Sequence, residues 1–178
     1  MVQNSLESTI NTFKYYKLLG EKAMKQIPEK ELTWKFNGQS NSILTIVKHM
    51  SGNMISRFTD FLLTDGEKSW RNRDSEFNEE DPDKLRYKEM WDKGWNVLLN
   101  TLESLYENDL NKIVYIRNEG HTVYEAIQRQ LAHYAYHIGQ IVFISKMKVG
   151  DEWESLSIPK NQSVEFNKKR QIGISLMV

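Results

Sequence analysis

"TVYEAIQRQLAHYAYHIGQIVFISKMKVG", residues 122 to 150, carries the start, stripe and stop signals of one long amphipathic helix. Thr122-x-x-Glu125 has the form of a capping box, in which each side chain satisfies a backbone N–H that the first turn leaves open. Ile127, Leu131, Tyr134, Ile138 and Ile141 then recur every three or four residues, which puts them on one side of a helix. Gly150, after Lys146 and Lys148, suits a C-terminal stop.

Three further segments share this period. One runs from about Asn4 to Gln26, with Leu6, Ile10, Phe13, Tyr16, Met24 and Ile27 near one side and Pro28 just beyond. A second follows Asn41 or Ser42, either of which suits an N-cap; its stripe of Ile43, Val47, Met50, Met54, Phe58 and Phe61 predicts five turns. A third opens at "DPDKL", where Asp81 can cap and Pro82 suits the first helical position, and continues through Trp91, Trp95, Leu98, Leu102 and Leu105. Four such helices predict an all-α protein, a four-helix bundle.

The connections refine that expectation. "TDGEKSWRNRDSEFNEED", residues 64–81, is a long polar crossover between the second and third helices. A helix of about 22 residues is ~33 Å long and about 18 extended residues reach ~60 Å, so the two helices can run parallel. "KIVYIRNEGHTV" predicts a small hairpin turning at Asn118-Glu119-Gly120 before the fourth helix. The tail, 151–178, is expected to add a turn and a short helix, and the whole chain, 1–178, to form one domain.

Composition narrows the function classes. Lys plus Arg total 24 and so do Asp plus Glu, a balance that calls for neither nucleic acid nor an anionic membrane as partner. The chain has no cysteine, which excludes disulfides, thiolate metal sites, iron–sulfur clusters and a cysteine nucleophile. "MVQNSLESTI" lacks the basic and apolar regions of a secretory signal, and no apolar run approaches the ~18 residues of a membrane span. A soluble, cytoplasmic protein is the expectation.

Two of the four histidines stand in "HYAYHIGQ". At i and i+4 on a helix, His133 and His137 can aim at one point, and a third metal ligand must come from another element. His49 is the candidate, because it flanks the apolar stripe of the second helix as the pair flanks that of the fourth. Three imidazoles leave a coordination position open, as in catalytic metal sites. An i, i+4 histidine pair can equally pack or hydrogen-bond on a surface, and spacing alone leaves both open. His121 reads as structural. H-Y-A-Y-H lacks the glutamate of an H-E-x-x-H zinc protease, and the fourth helix lacks the Glu-x-x-His pairs of di-iron bundles.

Candidate substrate-binding residues surround these positions. Asn53 and Arg57 continue the flank above His49, and Arg57 could clamp a carboxylate or form a surface ion pair. Gln140 could orient a ligand or a bound water, or join two helices. In the crossover, Arg71 and Arg73 could meet an anionic cosubstrate with Trp70 as a wall; otherwise Arg–Asp pairs with Asp74 pin the loop and Trp70 plugs it.

The chain resembles the DinB/YfiT superfamily over nearly its whole length. The resemblance rests on "IVKHMSGN", on "HYAYHIGQ", and on one histidine followed 84 residues later by an H-x-x-x-H pair. It is most similar to a bacterial branch of unknown activity carrying "RFTDFLLTDGEKSWRNRDSEF" and "LSIPKNQS". Membership implies an up–down–down–up bundle holding one divalent metal per chain at His49, His133 and His137. Zinc, nickel, iron and manganese are all chemically plausible there, with zinc or nickel favoured. Members include S-transferases and isomerases that use bacillithiol, mycothiol or glutathione. The resemblance therefore points to a metal-dependent thiol transferase acting on a small molecule, with a homodimer as a plausible assembly. A metal-dependent hydrolase on the same scaffold and a non-enzymatic metal-binding stress-response module are the alternatives.

Overall fold

The computed structural model describes residues 5–78 and 86–171. It is mostly helical, with one two-stranded sheet. The long helices are α1 (Ser5–Lys25), α2 (Ile43–Phe58), α3 (Tyr87–Glu103) and α4 (Val123–Val149). The hairpin pairs β1 (Ile113–Ile116) with β2 (Glu119–Thr122), and a short α5 (Ser163–Gln171) follows. Among the described residues no helix is long and apolar enough to cross a membrane.

The stripes become one core. Phe13, Met50, Met54, Trp95, Leu98, Leu102, Tyr134 and Ile138 are buried, each from a periodic position of its helix. Side-chain bonds then show which parts of the helices meet. Ser51 Oγ donates to the Met90 carbonyl (2.6 Å) and Thr101 Oγ1 to the Phe58 carbonyl (3.0 Å), so contacts ascend together along α2 and α3. Thr9 meets Gln128 and Gly20 faces Ile138, so they ascend together along α1 and α4 as well. Lys14 pairs with Glu103 (2.7 Å) and Glu21 with the Trp91 indole (3.1 Å), so α1 and α3 run oppositely.

Local chemistry explains the boundaries. Ser42, not Asn41, caps α2, its Oγ accepting from Thr45 N at 3.1 Å. The α2 helix stops at Phe58, a turn earlier than its stripe predicts: Thr59 is extended and Asp60 has φ 50°, which lets Phe61 reach the core from a turn. The expected start of α3 at Asp81 and Pro82 lies outside the described residues. Thr122 and Glu125 form the reciprocal capping box, and Gly150 (φ 65°) ends α4.

The hairpin turns at Arg117-Asn118 rather than at 118–120, with φ 56° and 63°, so Glu119 and Gly120 belong to β2. Two adjacent residues at positive φ match the twist of a tight hairpin, and Asn tolerates that region well. The Asp65 carboxylate meets the strain at Arg117 by accepting from both turn amides, at 2.9 and 2.7 Å. Gly66 N also donates to the Tyr115 carbonyl (2.8 Å). The crossover is thereby tied to the hairpin at its start. In the tail, the Gln26 side chain exchanges two bonds with the Glu154 backbone, at 2.9 and 3.0 Å, which seats Trp153 and Leu156 against the core of the same chain.

Candidate metal centre

The α2 and α4 helices bring His49 to His133 and His137. The Nε2 atoms of His49 and His133 lie 3.4 Å apart, and those of His137 and His133 lie 3.0 Å apart. The three histidines each present one ligating nitrogen within 4.8 Å of the others. Nitrogens about 2.0–2.1 Å from a tetrahedral zinc would be about 3.3 Å from each other, so the spacing fits such an ion. His49 and His137 are buried, while His133 is half-buried and leaves the centre reachable from one side.

The outer nitrogens set the tautomers. His49 Nδ1 bonds Glu76 Oε2 at 2.9 Å, and His137 Nδ1 bonds Gln140 Oε1 at 2.9 Å. Both partners are acceptors, so each Nδ1 carries the hydrogen and each Nε2 is left with a lone pair. His133 Nε2 faces both, and with its own hydrogen there it could donate to only one of them. A divalent ion at that position would satisfy all three nitrogens.

Protonation is disfavoured. Burial, then the neighbouring His137 and His49, pushes His133 down to about 3, and burial lowers His137 despite the bond to Gln140. Burial alone would raise Glu76, but the bonds from His49 and Arg71 outweigh it and hold the carboxyl below its ordinary value. The metal-free protein should therefore lose stability as pH falls. Below about 6.5 the unfolded chain takes up a proton at His133 that the folded chain refuses until about 3. Below the ordinary carboxylate range the contribution of Glu76 is lost as well. Thermal melts in chelator from pH 7.5 to 5 should show a steadily falling Tm; a Tm independent of pH would contradict a neutral, buried His133.

Glu76 is the feature that sequence reasoning missed. It sits in the crossover, in a single 3-10 turn (Asp74–Phe77), and reaches back 27 residues to His49. Arg71 grips it with two bonds, Nε to Oε1 at 2.8 Å and Nη2 to Oε2 at 2.9 Å. The Phe77 ring lies 5.3 Å from that of His49. The 74–77 turn of the crossover thus covers the His49 side of the centre. A glycine allows this approach: a Cβ at Gly52, on α2, would overlap Glu76 Oε1. No periodic signal marks Glu76; the glycine in an otherwise strong helix was the one available hint.

The other candidates are placed as follows. Arg57 is buried, with its Nη1 on the Gly66 carbonyl and both terminal nitrogens 3.2 Å from Glu67 Oε2. Asn53 Oδ1 accepts from the Tyr134 hydroxyl at 2.8 Å, inside the core. Arg71 is committed to Glu76, so the loop is pinned by an Arg–Glu pair; the expected Arg73–Asp74 pair is 4.0 Å long and solvated. Arg73 lies over Phe77, 5.1 Å from the ring centre. Trp70 is exposed, so it does not plug the loop. Gln140 bonds a member of the trio, His137, and its Nε2 donates to Tyr136 OH at 3.0 Å. His121 lies in the hairpin, 3.6 Å from Glu119 and away from the trio.

The family model described as protein of unknown function (DUF1572) matches residues 1–162, a span that includes all three histidines and Glu76. The chain belongs to DUF1572. No curated protein and no solved structure matches it.

Proposed function

We propose that this DUF1572 chain is a DinB/YfiT-type protein, an up–down–down–up four-helix bundle that binds one divalent metal per chain at His49, His133 and His137. We propose further that it joins a low-molecular-weight thiol to a small electrophile. The bundle topology is supported by contacts that ascend together along α2 with α3 and along α1 with α4, but oppositely along α1 with α3. The metal is supported by one observation above all: two histidines whose Nδ1 atoms are held by acceptors turn bare Nε2 lone pairs onto His133.

A divalent metal there would lower the pKa of a coordinated thiol and hold it as the thiolate nucleophile. The C–S bond to the electrophilic carbon would form as the leaving group departs with its electron pair, the thiol proton going to solvent. Glu76 and Gln140 fix the imidazole orientations, and Phe77 excludes water on the His49 side. A hydrolase is the alternative on the same site: both oxygens of Glu76 are taken by His49 and Arg71, so an attacking water would rely on the metal alone to lower its pKa. The lack of cysteine agrees with a thiol supplied from outside.

Elemental analysis of untagged protein tests the metal, beside His133→Ala and His49→Ala purified alike. About one equivalent of one metal in the wild type and a loss of more than tenfold in both variants are expected, with 1-chloro-2,4-dinitrobenzene conjugation to bacillithiol, mycothiol or glutathione following the metal. A wild type without metal, folding as its variants do, would end this reading.

A further inference from the structure

One groove adjoins the centre at Gln140. It encloses about 570 Å³ between the segment after residue 33 and the faces of α2 and α4. Its walls are Trp34, Phe36, Tyr136, Phe143, Ile144 and Met147. Its inner end is Gln140 and Ile46, each three residues from a histidine of the trio, and the Gln140 side chain bonds His137 directly. The groove thus reaches the residue that holds His137 Nδ1, and the three histidines lie just beyond its lining.

The rim is unusual for a surface. Phe36 is 73% exposed, Phe143 63% and Tyr136 61%, a cluster of aromatic rings held in water. Contiguous apolar surface of this kind marks a place where something binds. The walls are ordered: Trp34 N bonds the Glu31 carbonyl at 3.0 Å, and its ring is covered by Lys148 Nζ at 4.9 Å, itself paired with Glu31 at 2.8 Å. None of the lining residues is charged; the polar ones are amides and hydroxyls. A cation to neutralise an anionic ligand is missing from that lining. The volume lies within the range of about 300–1,000 Å³ typical of small-molecule pockets, and few polar groups among apolar walls is their usual composition.

We infer that this groove holds the uncharged, apolar body of the electrophile, aryl or long alkyl, with its reacting end directed past Gln140 to the three-histidine centre. The inference rests on the metal reading for the reacting end only. An anionic thiol would then reach the centre on the half-buried His133 side.

Two arms test this. In the first, the uncharged fluorophore N-phenyl-1-naphthylamine is titrated into wild type, Phe143→Glu, Met147→Glu and His133→Ala. Phe143 and Met147 are exposed, so a charge there leaves folding intact, which melting curves check. Saturable one-site binding is expected, at least tenfold weaker in both glutamate variants and unchanged in His133→Ala; no binding, or equal binding in all four, overturns the groove. In the second arm, cobalt-loaded protein takes up 4-phenylbutane-1-thiol and ethanethiol, read by thiolate-to-cobalt absorption. The aryl thiol should bind at least tenfold more tightly, an advantage that Phe143→Glu removes; equal affinities overturn the link to the centre. If cobalt does not bind, the metal reading fails, and the first arm still decides the groove by itself. Sedimentation of the same samples supplies the remaining outcome. A wild-type dimer that Phe143→Glu converts to monomers would assign these rings to a second copy of the chain and overturn the inference.

Discussion

Glu76→Ala should cost about 3–5 kcal/mol in urea denaturation and weaken metal binding roughly 10- to 100-fold. The first effect comes from Arg71, whose side chain is only 3% exposed and whose two charge-assisted bonds both end on Glu76. Removing the carboxylate strands a guanidinium where water cannot reach it, and that penalty exceeds what the pair contributes when intact. The second effect comes from His49, whose Nδ1–H loses its acceptor, so that neither its tautomer nor its ring orientation is held. The two can be separated. Arg71→Met with Glu76→Leu removes both charges and should recover most of the stability but not the metal affinity. If Glu76→Ala melts like wild type, the crossover does not close over the centre as described.

Gly94→Ala should destabilise the protein even though alanine favours helix by about 1 kcal/mol. A Cβ at Gly94 would lie 2.8 Å from Ser51 Cα, and a backbone atom in a packed helix cannot step aside. Overpacking of this kind costs about 1–3 kcal/mol, so the net loss for alanine should be up to roughly 2 kcal/mol and that for Gly94→Val about 3 kcal/mol or more. Because α2 also carries His49, spreading α2 from α3 should lower metal affinity as well. Gly139→Ala supplies the opposite sign. It lies on the exposed side of α4 with nothing within 4 Å of a new Cβ, and it should gain about 0.5–1 kcal/mol. Chemical denaturation of the three variants checks the order; a neutral Gly94→Val would show that α2 and α3 are not in backbone contact there.

These cases mark where local sequence signals end. Stripe residues such as Phe13, Met50, Trp95 and Ile138 announced their burial, since a period of three and four can only mean one helix face against a core. Ser42, Thr122 and Gly150 announced helix ends, because the groups they satisfy lie within three or four residues in the chain. The hairpin turns one position before the Asn118 that its sequence marks: arginine rarely adopts positive φ, and what holds Arg117 there is Asp65, 52 residues away. The length of α2 was overestimated because Phe61 is buried as the stripe requires, but from a turn rather than from a helix.

Helix periodicity and histidine spacing were sufficient to mark His133 and His137 as a pair on one face and to nominate His49, because i, i+4 geometry is local and obligatory. Only the tertiary structure decided that the three Nε2 atoms converge, that Glu76 and Arg71 close over His49, and that Arg57 is spent on Glu67. Those outcomes depend on contacts between segments tens of residues apart, where no repeating pattern along the chain records which polar side chain will find which partner.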